Sequence, residues 1–283
     1  MTEGHDLRIR VMRPGEIALA VDWAAAEGWN PGRGDAACFA TVDPHGFLLG
    51  ELDGEPAATI SCVNYGDTFA FLGFYIVRPD LRGRGLGLRI WNAAMAHAGM
   101  RTVGLDGVVA QQENYRKSGF RLAHPNIRYG GSVALAAALP DNMIPLAEIP
   151  FAALQSDDAT VFPASRASFL RAWIDASGHV GHALLRDGAL AAWGVIRPCR
   201  SGRRTGPLMA DDRAAAEAVF AALAAAAGGD DVFLDVPSVN REAVALAQDH
   251  GLAPVFETAR MYTGSIRPVR MERVFGVTTF ELG

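Results

Sequence analysis

FAFLGFYIVRPDLRGRGLGLRIWNAAMAHA, residues 69–98, decides the fold. Its first nine residues are an apolar run that predicts a buried strand, and the stretch from Leu88 is amphipathic, which predicts a helix. Between them stands RPDLRGRGLG, dense in glycine. A strand that delivers such a loop to a helix N-terminus leaves several backbone N–H groups pointing at one spot, where the helix dipole also favours negative charge. The expected ligand therefore carries phosphate. Two familiar phosphate loops are excluded. The spacing G-x-x-x-x-G-K-[ST] is absent, and G-x-G-x-x-G fails because Gly83 and Gly85 are followed by Leu88 where the third glycine should fall.

What remains is Arg82-x-x-Gly85-x-Gly87. Downstream, LDGVV at 105–109 reads as a buried strand and AQQENYRKSGF at 110–120 as a short helix closed by Gly119. The loop resembles the R/Q-x-x-G-x-G/A pyrophosphate loop of the GCN5-related N-acetyltransferase (GNAT) superfamily. Tyr115, Lys117, Gly119 and Phe120 match that superfamily's Y-x-K-x-G-F segment, in the expected order. The resemblance implies an enzyme that binds acyl-coenzyme A, with acetyl-CoA as donor. It implies that Tyr75, Ile76 and Val77, at the end of the central strand, present backbone groups to the pantetheine arm and polarise the thioester carbonyl. Arg82, Gly83, Arg84, Gly85, Leu86 and Gly87 would hold the pyrophosphate through their N–H groups. Tyr115 would act as general acid toward the departing sulfur. Asn114 and Lys117 complete the implied donor-binding set, Asn114 replacing an asparagine that the superfamily carries where this chain has Val108.

Composition bounds the rest. A chain of 283 residues exceeds the usual single domain, and 50% hydrophobic with 20% charged residues is ordinary for a globular protein, so two domains are expected. No apolar run approaches the ~18 residues of a membrane span, and MTEGHDLRIRVM lacks a signal-peptide core, so the expected location is cytoplasmic, with no membrane partner. Cys38, Cys62 and Cys199 are odd in number and widely spaced, which predicts reduced core thiols. A net charge of -5 argues against a nucleic-acid partner. The basic run RPCRSGRR, 197–204, reads as a solvated loop between strands, with contact to cofactor phosphates or to the other domain as the sharper alternative. His179 and His182 lie three apart without a third ligand nearby, so no metal is expected.

Along the chain, the pattern predicts a strand at 7–12, a helix from near Pro14 to about Glu27, two strands joined by Asp53-Gly54, and another strand at 127–135. The C-terminal half reads as a copy stripped of its chemistry. HALLRDGALAAWGVI repeats the strand, Asp-Gly, strand arrangement, and VFLDVPSVNREAVALAQDHGL repeats strand then short helix. Ala247 holds the tyrosine position, however, and RRTGPLMAD stands where the glycine loop should be, with Pro207 removing an N–H donor. The expected fold is α/β, of the α+β mixed-sheet kind: tandem acyl-CoA N-acyltransferase folds, a central mixed β-sheet flanked by helices in each. The expected division is 1–137 catalytic, 138–154 linker and 155–283 degenerate.

The acceptor is expected to be a small-molecule amine, because a second domain over the cleft restricts bulky substrates. Asp106, Glu113 and Glu51 are candidate bases, His124 lies just past the Tyr115 helix, and Trp23, Trp29, Phe39 and Tyr65 are candidates for the acceptor wall. A non-catalytic acyl-CoA sensor and a transferase of longer acyl chains remain alternatives, and a homodimer is left open.

Overall fold

The computed structural model describes residues 7–134, 140 and 142–283. The expected division after residue 137 lies outside the described residues. The N-terminal half begins with β1 (Arg8–Val11), α1 (Ile17–Ala26), α2 (Asp35–Phe39), β2 (Phe47–Leu52) and β3 (Glu55–Tyr65). It continues with β4 (Phe69–Val77), α3 (Leu86–Ala98), β5 (Thr102–Val108), α4 (Gln112–Lys117) and β6 (Arg121–Gly131). Asp53 and Gly54 both take positive φ, 54° and 85°, which two-residue turns between antiparallel strands demand. The strand expected at 127–135 instead starts at Arg121.

The stretch expected as a linker carries β7 (Met143–Pro145) and the start of α5 (Phe151–Val161). Then come α6 (Ala167–Ile174), β8 (Val180–Arg186), β9 (Ala189–Pro198), β10 (Arg203–Ala210), α7 (Arg213–Ala225), β11 (Val232–Pro237), α8 (Arg241–Asp249), β12 (Ala253–Tyr262) and β13 (Val274–Gly276). Asp212 and Asn240 cap α7 and α8 through their side chains.

Among the described residues, all strands join one sheet, in the order β1-β2-β3-β4-β5-β12-β6-β11-β10-β9-β8-β7, with β13 on β10. The expected tandem of mixed sheets flanked by helices is present, and the sheets of the two halves run together as one. Each half contains an antiparallel meander ending in a parallel pair, β4 with β5 and β10 with β11. The strand after each parallel pair crosses over: β6 pairs with β11, and β12 pairs with β5. β6 and β12 also pair with each other, so the halves interlock through exchanged strands.

Buried charges sit at this junction. Arg197 and Asp35 are wholly buried and paired at 2.9 Å. Arg128 grips both carboxylate oxygens of Asp235 at 2.6 and 2.8 Å, and Arg204 reaches Asp235 at 3.3 Å. Burial alone would raise the Asp235 carboxyl, but Arg128 and Arg204 outweigh it and hold it below its ordinary value. The basic run is therefore not a solvated loop throughout. Its turn is short, and Arg197 and Arg204 face the N-terminal half, where Arg204 donates to the backbone oxygens of Trp29 and Asn30. Removing one partner of such a pair leaves an uncompensated buried charge, costing about 3–5 kcal/mol. Asp35→Asn is expected to lower unfolding stability by that amount, read as a drop in the denaturant midpoint; a change under about 1 kcal/mol would contradict the assignment.

Candidate functional site

β4 and β5 pair only from Phe69↔Thr102 to Leu72↔Leu105, although both strands continue. The cause lies on the other edge of β4, where the register to β3 slips between Thr59 and Ser61, inserting one extra residue. Phe74 sits in that bulge with φ 48°, and the Thr59 hydroxyl donates to its carbonyl at 2.9 Å. The bulge turns β4 away from β5. A cavity of about 490 Å³ opens between them, with unpaired strand edges on both sides.

Of the residues singled out in the sequence, Tyr75, Ile76, Val77, Arg82, Gly83, Gly85, Leu86, Gly87 and Tyr115 line this cavity. The loop that follows β4 needs its glycines. Gly83 and Gly85 take φ of 77° and 79°, and a Cβ at Gly87 would lie 2.5 Å from the Tyr75 hydroxyl. Among the described residues, no backbone carbonyl accepts the N–H groups of residues 83–88. Arg82 donates to the Val77 carbonyl and is paired with Glu27. The loop can thus take an anion such as a pyrophosphate on its main chain.

Arg84, Asn114 and Lys117 lie outside the cavity. Arg84 faces a smaller recess beside Arg78 and Asp53, Asn114 is exposed and donates to Gln111, and Lys117 is exposed. Tyr115 is buried against Trp91, with ring centroids 5.8 Å apart, and Phe120 closes its edge. Gly107 of β5 makes room for the ring, since a Cβ there would come within 2.2 Å of it. Burial pushes the Tyr115 hydroxyl up to about 12, with Tyr75 adding to the shift, so it stays protonated at neutral pH.

The three candidate bases fare differently from one another. Asp106 lines the cavity, but Arg260 holds both its oxygens at 2.7 and 2.6 Å and Asn126 donates to it. Glu113 is exposed and paired with Arg116, and Glu51 pairs with Arg10 away from the cavity, which lowers its carboxyl. His124 is buried beside Arg260, and burial first, then that charge, lowers its basicity. The acceptor wall is also revised. Trp29 lines the cavity, but Phe39 and Tyr65 belong to the core and Trp23 packs against it.

The reading of the sequence missed the wall supplied by the C-terminal half. Phe256 and Thr258 of β12, with Phe280 and Glu281 of the final segment, line the cavity beside Arg128. A signal was present in the charges placed inside otherwise apolar strands, Arg128, Asp235 and Arg260, which need partners from elsewhere. Residues 277–283 are buried throughout. Tyr65 donates to the Leu282 carbonyl at 2.9 Å, Arg166 donates to the Gly283 carbonyl at 2.6 Å, and a Cβ at Gly73 would strike the Glu281 carbonyl at 2.2 Å. Among the described residues, no cluster of three His, Cys, Asp or Glu is placed to hold a metal, and no helix is long and apolar enough to cross a membrane.

Two family models match the chain: an acetyltransferase (GNAT) family over residues 17–120 and an acetyltransferase (GNAT) domain over residues 155–276. A holothin acyltransferase from Pseudoalteromonas is 34% identical over 270 residues, covering 95% of this chain and 92% of that protein. Among solved structures, an acetyltransferase-fold protein of Pyrococcus horikoshii superposes with a TM-score of 0.83 at 21% identity, covering 100% of this chain and 97% of its own. A tandem GNAT protein from the clavulanic acid biosynthesis pathway superposes with a TM-score of 0.63 at 15% identity, covering 92% and 99%.

The raised Tyr115 hydroxyl has a consequence for stability. An unfolded tyrosine ionises near pH 10, so from there to pH 12 the unfolded chain loses this proton while the folded chain keeps it. The contribution is complete below pH 10 and is lost as pH rises through 12, about 2–3 kcal/mol in all. Tyr115→Phe is expected to flatten the alkaline decline of stability between those limits by about that amount, measured by denaturant titrations against wild type. An unchanged decline would show that the hydroxyl is not desolvated.

Proposed function

Because this chain belongs to the GNAT family and is an acyltransferase, we propose that it moves an acetyl group from acetyl-CoA to a primary amine of a small molecule by direct attack. The observation that carries this reading is the opening of β4 from β5 beside the free N–H groups of the glycine loop, with Tyr115 on the same cavity. The loop N–H groups of residues 83–87 hold the donor's pyrophosphate, beside the Arg82 side chain. Tyr75, Ile76 and Val77 align the pantetheine arm along the unpaired edge of β4. Acetyl-CoA supplies the activated thioester, and Tyr115 gives its proton to the leaving sulfur, a role suited to a hydroxyl that is neutral and desolvated at pH 7. Asn114 and Lys117 are assigned to the outer, exposed part of the donor path.

The relative that acts as a holothin acyltransferase supports a small-molecule acceptor. We assign the transfer chemistry to the N-terminal half and the closure of the acceptor end to the C-terminal half, in the cytosol. Both arginines that line the cavity are engaged, Arg82 by Glu27 and Arg128 by Asp235, so no free cation among the described residues awaits an acceptor carboxylate. An amine should therefore outperform the amino acid of the same side chain, tyramine over tyrosine for example, by at least about ten-fold in kcat/KM.

Thiol release from acetyl-CoA in an amine screen tests the main reading. Wild type should turn over, Tyr115→Phe should be slower by about 100-fold or more, and the Gly85→Pro, Gly87→Pro double variant should lose donor binding in calorimetry. Turnover with octanoyl-CoA but not with acetyl-CoA would replace the acetyl donor by a longer one. Full activity in Tyr115→Phe would remove the assigned acid.

A further inference from the structure

None of the carboxylates foreseen as the base is free to take a proton from the acceptor, but one that the sequence reading passed over is. Glu281 is 3% exposed and lines the cavity. Among the described residues nothing hydrogen-bonds its carboxylate, and its Oε2 atom is sealed from solvent without a partner. Leaving a buried carboxylate unpaired is costly, and folded proteins ordinarily avoid it unless a ligand completes the site.

The segment that carries Glu281 is held firmly. The Thr279 hydroxyl accepts the N–H groups of both Glu281 and Leu282 at 3.0 Å, and Tyr65 and Arg166 fix the carbonyls of the last two residues. The Glu281 main chain lies against Gly73, where β4 departs from β5 and where the unpaired strand edge begins. Around it, Phe74, Phe256, Phe280 and Trp29 form an apolar wall, and the Thr258 hydroxyl is buried without a partner. The charge that acts on it directly is the Arg204 guanidinium of β10, while Arg128 of β6 lines the same cavity. Arg128 and Asp235 pair with each other, and Arg204 is shared between Asp235 and the main chain of residues 29–30.

We propose that Glu281 is the catalytic base of this site: its carboxylate accepts an N–H of a carboxylate-free amine with a flat apolar body and takes that proton as the amide forms. This rests on the acyl-transfer reading above. In the step, the amine nitrogen bonds to the thioester carbon and the carbon–sulfur bond breaks. The amine proton passes to Glu281, the sulfur receives the proton of Tyr115, and water that enters the cavity once the products leave carries the proton from Glu281 to Tyr115. The second half of the chain thereby supplies a group to a reaction whose donor loop belongs to the first half.

The test compares wild type, Glu281→Gln and Glu281→Asp for acetyl-CoA binding by calorimetry and for thiol release with tyramine across pH. Circular dichroism and the unfolding midpoint establish that each variant folds. The expected result is unchanged donor binding, a fall in kcat of about 100-fold or more in Glu281→Gln with loss of the acidic limb of the wild-type pH profile, and partial recovery in Glu281→Asp. If wild type turns over and Glu281→Gln keeps both kcat and the acidic limb, the proposal is overturned, and a change confined to KM overturns it equally. If wild type releases thiol with no amine, the failure belongs to the acyl-transfer reading. Should Glu281→Gln not fold, Gly73→Ala displaces the same segment from β4, and unaltered kcat in that variant would overturn the proposal.

Discussion

One extra residue in β4 governs the rest of the structure. With Phe74 bulged out of register against β3, β4 can follow β5 only as far as Leu72, and the sheet parts. An open strand edge inside a protein is a liability unless something pairs with it or a ligand fills the space. Here the edge faces a cavity, the glycine loop ends in unpaired N–H groups at its mouth, and Tyr115 closes one wall. The positive φ at Phe74 is held by the Thr59 hydrogen bond and by packing against Phe39 and Phe47, so local strain is over-determined by the core.

The second half carries the same device with the opposite outcome. β10 also slips by one residue against β9, between Thr205 and Leu208, and parts from β11 after Thr205. There β13 fills the gap, pairing with β10, and the Val277 N–H donates to the Asp235 carbonyl at 2.8 Å. A Cβ at Gly206 would strike the Val277 carbonyl, as one at Gly73 would strike that of Glu281. A single final segment thus plugs the second opening and lines the first. In the second half, where RRTGPLMAD and Ala247 stand in place of a glycine loop and a tyrosine, the parted edge of β10 is paired by β13.

The exchanged strands explain why buried charges are retained. Arg128 and Asp235 face each other across β6 and β11, Asp106 and Arg260 across β5 and β12, and Arg197 and Asp35 join the halves again. Such pairs contribute little net stability compared with apolar packing, yet any alternative pairing of these strands would bury their charges alone. They favour one register and one partner for each strand. The same rigidity positions Thr258 and Phe256 at the cavity without any loop of adjustable shape.

The local elements were legible because their causes are local. The apolar run from Phe69 to Val77, the glycines that need left-handed φ, the Asp-Gly turns and the Tyr115 helix closed by Gly119 are set by neighbours within a few residues. The glycine-loop wall of the cavity, built from one contiguous stretch and the helix after β5, could be read for the same reason. The opposite wall could not. β6 and β12 carry patterns that suit either antiparallel partner, so their exchange depends on which buried charges meet across more than a hundred residues of chain. Glu281 looks like an ordinary polar residue in the sequence, and only the packing of its segment against Gly73 makes it a buried carboxylate. Local pattern in the chain established the family, the strand, glycine loop and helix of 69–98, and the Asp-Gly turns. The union of the two halves into one sheet and the closing of the cavity by the final segment were decided by tertiary structure, because long-range pairing and burial leave no periodic trace in the chain that makes them.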